Sequence, residues 1–347
     1  MFIPVVLKKG FNITHVRDFW QMIAAGALAS AASLLAACGS GQVGQSSDSG
    51  GAANSANSKK LTLVPGVQAE PFYISMQCGA QEEAKKLGYE LTTQAPQKFD
   101  ATMQTTIVNA LGVNPPAALL IAPTDDQAML APIQQVKNRG TKIVEVDTSL
   151  QDKSVAESSI SSDNTAGGKL AAQTMAKLAG DKPGSVLILD TIAGTSTTAA
   201  RAKGFEDELR NHPNLKSAGI QFTQNEPEQA ASKVTAALAS TPDLIGIFAT
   251  NLNTVEGAAT GLRNAGKIGQ VNLVGFDASP SEVDGLRKGE YQGLIAQDPA
   301  AIGTQGVQQA VAALEGTPVT RTLTAQLHSI TKDDMDANSQ YFYKQSR

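Results

Sequence analysis

The sequence predicts an α/β protein built from two doubly wound parallel sheets, and three observations carry that prediction. From Leu61 onward, short apolar runs alternate with segments of helical periodicity, the order that produces a parallel sheet flanked by helices. The rhythm breaks at Ser161-Ser162-Asp163-Asn164 and then restarts, so the chain contains two sheets of similar order. Polar side chains, among them Asp147, Asn251, Asp277 and Gln297, follow on apolar runs, and the carboxyl ends of strands are where open α/β sheets hold ligands.

The first strand is Leu61 to Val64. A helix follows over Pro71 to Leu87, opened by the proline and stopped by Gly88, with Glu82 and Lys86 spaced to pair one turn apart. Tyr89 to Thr93 is the next strand. Asp100 caps a helix that places Met103, Ile107 and Leu111 on one face. Ala118 to Ile121 is a continuous apolar run, as in a strand buried on both sides. A helix from about Asp126 to Asn138 stops at Gly140, and Lys142 to Val146 is the fourth strand, leaving Asp147 at its end.

After the break, strands at Val186 to Leu189, Ile220 to Phe222, Leu244 to Phe248 and Leu273 to Val274 alternate with helices. The helices run near Ala166 to Leu178, Thr197 to Leu209, Glu228 to Leu238 and Thr254 to Asn264. The stretch from Val271 to Pro299 is the most informative. Its strand stops at Gly275 and delivers Phe276-Asp277; Ser279-Pro280-Ser281-Glu282 then supplies an N-cap, a first-turn proline and a capping-box glutamate, and Gly289 ends that helix. Tyr291 to Ala296 delivers Gln297 just before Asp298-Pro299, another helix start. Beyond it the pattern predicts a helix around Ala301 to Leu314, a strand near Leu323 to Leu327 and a closing helical tail that includes Tyr341 and Phe342.

Between Leu61 and about Thr331 the chain carries GAQEEAKKLGY (Gly79 to Tyr89), APTD (Ala122 to Asp125), SDNTAGGK (Ser162 to Lys169), IAGTS with RAKGF (Ile192 to Phe205), IFATN (Ile247 to Asn251) and LVGFD to IAQ. In this order and at these intervals the segments resemble the type I periplasmic sugar-binding proteins, most closely the ribose-binding branch. The resemblance implies a chain that passes between two lobes three times, near Asp163, Gln297 and Ala325. The N-terminal lobe would comprise residues 60–163 plus 298–325, and the C-terminal lobe residues 164–297 plus 326–347. It also implies that Phe72 and Tyr73 stack on a sugar, that Asp147, Arg201, Asn251, Asp277 and Gln297 bind its hydroxyls, and that Phe276 is a third aromatic.

Such a set fits a sugar, whose hydroxyls both donate and accept around C–H faces. Each residue alone has a plainer use. Asp277 and Asn251 suit helix caps, Phe72 suits a core position, and Arg201 suits a surface pair with Asp207 or Glu208. The chain departs from the ribose-binding pattern at three places: Glu70 stands where that branch has Asn, Asp147-Thr148 where it has Asp-Arg, and Ala122 where it has Asn. Ribose itself is thereby in doubt, and Glu70, counted with the site, either pairs with Arg201 or favours an amine-bearing ligand.

The N-terminus reads as an export signal. Lys8, Lys9 and Arg17 lead an almost unbroken apolar stretch that closes on Leu35-Ala36-Ala37-Cys38. Those four residues resemble a bacterial lipobox, which implies cleavage at residue 38, lipidation of Cys38 and an extracytoplasmic protein tethered to a membrane. Residues 39–59, rich in Gly, Ser, Ala and Asn, read as a flexible tether. A G-x-G-x-x-G at Gly39, Gly41 and Gly44 has no strand before it and no helix after it.

With 347 residues, 41% hydrophobic content and a formal net charge of −4, the chain has material for two cores and no basic stripe for nucleic acid. Only Cys78 remains in the mature chain, so no intramolecular disulfide forms. His212 and His328 lack serine or cysteine partners, which argues against hydrolytic catalysis and against a metal or cofactor. Asp334, Asp336 and Asn338 have calcium-loop spacing, but Ser339 and Gln345 stand where glycine and glutamate are needed.

The expectation is a monomeric, membrane-tethered receptor that hands a monosaccharide to an ABC permease. The alternatives keep the class and change the ligand to a signalling furanone, polyol or nucleoside, or couple the receptor to a membrane kinase or chemoreceptor.

Overall fold

The computed structural model describes residues 58–344. The export signal, Cys38 and the tether up to Asn57 lie outside the described residues. What is described forms two α/β lobes, each with a six-stranded sheet.

The first sheet contains β1 (Lys60–Val64), β2 (Glu90–Thr93), β3 (Ala118–Ile121), β4 (Lys142–Val146), β5 (Ser158–Ser162) and β11 (Thr322–Ala325). Their spatial order is β11-β5-β4-β3-β1-β2, parallel throughout. Helices α1 (Pro71–Leu87), α2 (Ala101–Leu111), α3 (Leu130–Lys137) and α9 (Pro299–Glu315) flank it. The second sheet contains β6 (Gly184–Asp190), β7 (Leu215–Phe222), β8 (Leu244–Ala249), β9 (Asn272–Phe276), β10 (Gly293–Ala296) and β12 (His328–Ile330). Its order, β12-β10-β9-β8-β6-β7, repeats the first, except that β12 runs antiparallel to β10. The helices of this lobe are α4 (Asn164–Ala179), α5 (Ser196–Leu209), α6 (Pro227–Ser240), α7 (Leu252–Asn264) and α8 (Pro280–Lys288). The chain changes sheet between β5 and α4, between β10 and α9, and between β11 and β12.

Local chemistry explains most boundaries. Ser279 and Glu282 form the expected capping box at α8, Asp100 accepts from Met103 N at α2, and Gly88 and Gly289 end α1 and α8 with φ of 75° and 78°. Two helix crossings depend on absent side chains. A Cβ at Gly168 of α4 would collide with the Arg201 carbonyl oxygen of α5, and one at Gly204 of α5 would collide with the Thr165 carbonyl oxygen. These reciprocal contacts let the two backbones touch and set where Arg201 leaves its helix.

Several expectations fail for tertiary reasons. Met103 is 42% exposed, and the buried face of α2 is instead Gln104, Val108 and Leu111. Gln104 is tolerated there because its amide donates to Pro65 O and Ala122 O while its oxygen accepts from Thr124. Lys86 pairs with Glu83 at 3.1 Å, not with Glu82. α3 begins at Leu130, because Asp125 holds residues 127 and 128 in a turn by accepting from both amides. Cys78 is half-buried in α1.

β5, with the sequence SSISS, was not anticipated. One isoleucine gives no apolar run, and the strand exists because β4 and β11 pair on either side of it. The expected strand at Leu323 to Leu327 is split, since β11 ends at Ala325 in one sheet and β12 starts at His328 in the other. The closing segment is no α-helix but a single 3-10 turn, Ser339–Tyr341, after which Tyr343 is buried.

Candidate ligand-binding site

The carboxyl ends of both sheets open onto one cleft. From the first lobe, the loop after β1 brings Glu70 to the start of α1, whose first turn presents Phe72 and Tyr73, while β4 delivers Asp147 and Thr148. From the second lobe, β8 delivers Asn251, β9 delivers Asp277 and β10 delivers Gln297, with Arg201 projecting from α5. These residues surround about 400 Å³ of atom-free space, part of it continuous with solvent.

The wall is a connected hydrogen-bond network. Tyr73 OH donates to Asp147 Oδ2 at 2.8 Å. Asp277 Oδ1 accepts from Gln297 Nε2 at 2.7 Å and from Tyr343 OH at 2.9 Å, and its Oδ2 accepts from Leu252 N at 3.2 Å. Gln297 Oε1 in turn accepts from Arg201 Nη2 at 3.0 Å and from Ser162 Oγ at 2.8 Å. Arg201 also donates Nε to Asn164 Oδ1 and Nη1 to Thr250 O, both at 2.8 Å. It is 3% exposed, so the surface pair with Asp207 or Glu208 does not form; Asp207 pairs with Lys203 and Arg210 instead.

Phe276 is the one expected site residue that does not line the cavity. It is fully buried, and the Arg201 guanidinium carbon lies 3.7 Å above its ring centre. The third aromatic therefore seats the arginine by a cation–π contact rather than meeting the cavity directly. Asn251 caps α7, as its plainer use predicts, by accepting from Thr254 N at 3.2 Å, and it lines the cavity with its amide donating to Asn225.

Backbone strain marks the same place. Among the described residues, the non-glycine positions with positive φ are Ala69, Asp147, Gln224, Asn225 and Asp277. Asp147 at 66° and Asp277 at 97° occupy equivalent strand ends in the two lobes. Such conformations are held only where the surroundings over-determine them, and they concentrate at functional sites.

The electrostatics are unusual. Burial pushes the Asp147 carboxyl up to about 6, against the opposing pull of Arg201 and the Tyr73 hydroxyl. Glu70 is pushed up to about 8, first by burial and then by Asp277, Asp147 and Glu256. Glu70 keeps some exposed surface because it faces the cavity, yet the protein around it disfavours its charge. No ion pair joins it to Arg201, whose donors are directed elsewhere.

Sequence reasoning missed part of the wall. Phe99, Asn225 and the threonines 191, 195, 197 and 198 line the cavity, and Tyr343 reaches Asp277 from the far end of the chain. The threonine cluster in TIAGTSTT, running from the end of β6 into the first turn of α5, was the available signal. Tyr343 had none, because its role depends on where the tail returns. At the mouth, Asp126 N donates to Gly194 O at 3.1 Å, Ser149 N donates to Ser196 Oγ at 3.0 Å, and Lys98 pairs with Glu226 at 2.7 Å. These contacts join the lobes, so the cleft is closed. Among the described residues no group of His, Cys, Asp and Glu is arranged to hold a metal ion.

The family profile of the periplasmic binding protein domain matches residues 61–318. The ribose import binding protein RbsB of Escherichia coli K12 is 32% identical over 280 residues, covering 81% of this chain and 93% of that protein. An ABC transporter solute binding protein from Agrobacterium vitis, solved bound with alpha-D-tagatopyranose, superposes with a TM-score of 0.80 at 34% identity, over 82% of this chain and 99% of that one. A periplasmic solute binding protein from Actinobacillus succinogenes, with bound D-allose, does so with a TM-score of 0.74 at 26% identity, over 80% and 99% of the two chains.

Proposed function

The chain belongs to the periplasmic binding protein domain family, and from that premise we propose that it is the extracytoplasmic receptor of a sugar ABC importer. It encloses a monosaccharide or similar polyhydroxylated ligand between its lobes and presents the closed form to a membrane permease. The observation that carries this reading is the convergence of Tyr73 with Asp147 from one lobe, and of Arg201, Asn251, Asp277 and Gln297 from the other, on a single cavity.

The mechanism is closure of one lobe on the other. Residues 60–163 with 298–325 move against residues 164–297 with 326–347, hinged where the chain changes sheet. A ligand that hydrogen-bonds both walls binds the closed form better than the open one, and that difference alone shifts the population. Phe72 and Tyr73, edge-to-face with ring centres 5.1 Å apart, present an apolar surface to the C–H face of a sugar. Asp147, Asn251, Asp277 and Gln297 supply acceptors and amide donors for its hydroxyls, while Arg201 orients the glutamine. No bond is made or broken in this reading.

Cys38, lipidated after cleavage of the export signal, tethers the monomeric receptor to the membrane surface. Calorimetric titration of the purified chain with a monosaccharide panel, ribose, allose, tagatose, galactose and glucose included, tests the reading. Saturable one-to-one binding of at least one sugar is expected, and uniform absence of heat across sugars overturns it. Including a furanone, polyols and nucleosides in the same panel separates the alternative ligand classes, and a turnover assay on the same sample tests for hydrolysis.

A further inference from the structure

The cleft holds more carboxyl groups than it has cations to meet them. Glu70, Asp147 and Asp277 line it against one cation, Arg201. That cation is already engaged with Asn164, Thr250 and Gln297 and backed by Phe276. Asp277 is engaged too, since both its oxygens accept from protein donors. Asp147 commits Oδ2 to Tyr73. Glu70 stands at the N-cap of α1, yet its side chain makes no capping hydrogen bond. Thr148, beside Asp147 on the wall, turns its hydroxyl away to Pro123 O at 2.7 Å. Independently, Thr195 lines the same cavity at 3% exposure with its hydroxyl oxygen buried and unpartnered.

An unpaired buried carboxylate is costly and is relieved by a proton, a cation or several donors. A hydroxyl offers one donor and no charge. An ammonium group offers three donors and one positive charge. We propose that the ligand of this cleft is an amino sugar, whose protonated amine is held by Glu70 together with Asp147 and sets the specificity of the receptor. The inference rests on the sugar-receptor reading above and narrows its ligand class.

The electrostatics of the site agree with that assignment. Glu70 retains a proton up to about pH 8, driven by burial and by Asp277, Asp147 and Glu256, with Arg201 opposing. An ammonium ligand displaces that proton, whereas a neutral sugar leaves it in place.

Isothermal titration of the full chain at about pH 7 compares 2-, 3- and 6-amino deoxy sugars of the glucose, galactose and mannose configurations with their neutral parents and N-acetyl forms. At least one amino sugar is expected to bind about ten- to a hundredfold tighter than its parent, to lose that advantage on acetylation, and to release about one proton per ligand. The proton appears as a dependence of the heat on the ionisation enthalpy of the buffer. Glu70→Gln is expected to bring the amine-to-parent affinity ratio near unity and to abolish the proton release, with Glu70→Asn as a second variant.

Neutral parents that bind as tightly as every amino counterpart overturn the amine assignment while leaving the receptor reading intact. An amine preference undiminished in both variants overturns the role of Glu70. Silence toward every sugar, charged or neutral, overturns the receptor reading and this proposal with it.

Discussion

Gln297 donates its side-chain amide to Oδ1 of Asp277 at 2.7 Å, joining the ends of β10 and β9, which pair in the sheet. The glutamine oxygen accepts from Arg201 and from Ser162 of the other lobe. One amide therefore ties a carboxylate, a guanidinium and a change of lobe into a single unit. Arg201→Ala and Asp277→Ala are each expected to weaken ligand binding by about 1.5–3 kcal/mol, the worth of a hydrogen bond to a buried charged group. Because Asp277→Ala also orphans Gln297 and Tyr343, unfolding free energy is expected to fall by about 1–3 kcal/mol. Ligand titration paired with urea denaturation measures both.

Phe276 supports the site from behind. Phe276→Leu removes the ring beneath the guanidinium while keeping most of the apolar volume. A loss of about 1 kcal/mol in stability is expected, together with weaker binding as Arg201 loses its seat. Unchanged affinity in that variant would separate the aromatic from the site.

Gly168 is a positional requirement rather than a flexible point. In Gly168→Ala the new methyl meets the Arg201 carbonyl oxygen, so α5 must move away from α4. Overpacking of this kind typically costs about 1–3 kcal/mol. Thermal denaturation is expected to show that loss and titration a weaker ligand complex, whereas Gly88→Ala strains an exposed helix end and leaves binding alone.

Acidity should control closure of the cleft. Asp147 is raised from 3.8 to about 6 and Glu70 from 4.5 to about 8 in the closed form. The closed form thus binds more protons than a form whose carboxyls are open to water. Its stability is complete on the acid side and declines as pH rises through about 6 and then about 8. Small-angle scattering of the ligand-free protein is expected to show the radius of gyration increasing between about pH 5 and pH 9. Glu70→Gln removes the upper step.

The proposed membrane attachment rests on Cys38. Cys38→Ser is expected to move the protein from the detergent phase to the aqueous phase on temperature-induced phase separation, with ligand affinity unaltered. Retention in the detergent phase would refute the lipid anchor.

How much of this was legible beforehand differs by level. Apolar runs located ten of the twelve strands among the described residues, and the cap signals at Asp100, Ser279, Gly88 and Gly289 located helix ends, because both are decided within a few residues. The polar residues at strand ends were legible for the same reason: Asp147, Asn251, Asp277 and Gln297 each follow directly or closely on an apolar run. The structure brings them, with Glu70, Phe72, Tyr73 and Arg201, to one cavity.

What sequence alone determined, then, is the alternation of strand and helix and the chemistry available at the strand ends, since periodicity, caps and turns act over short distances. Tertiary structure decided the rest. SSISS became a strand because its neighbours offered two ladders, and Met103 turned outward because Gln104 found three buried partners. Phe276 met a guanidinium instead of the cavity, and Tyr343 entered the site from the far end of the chain. Each outcome depends on groups far apart in sequence that touch only after the lobes have formed, and no local pattern encodes such a contact.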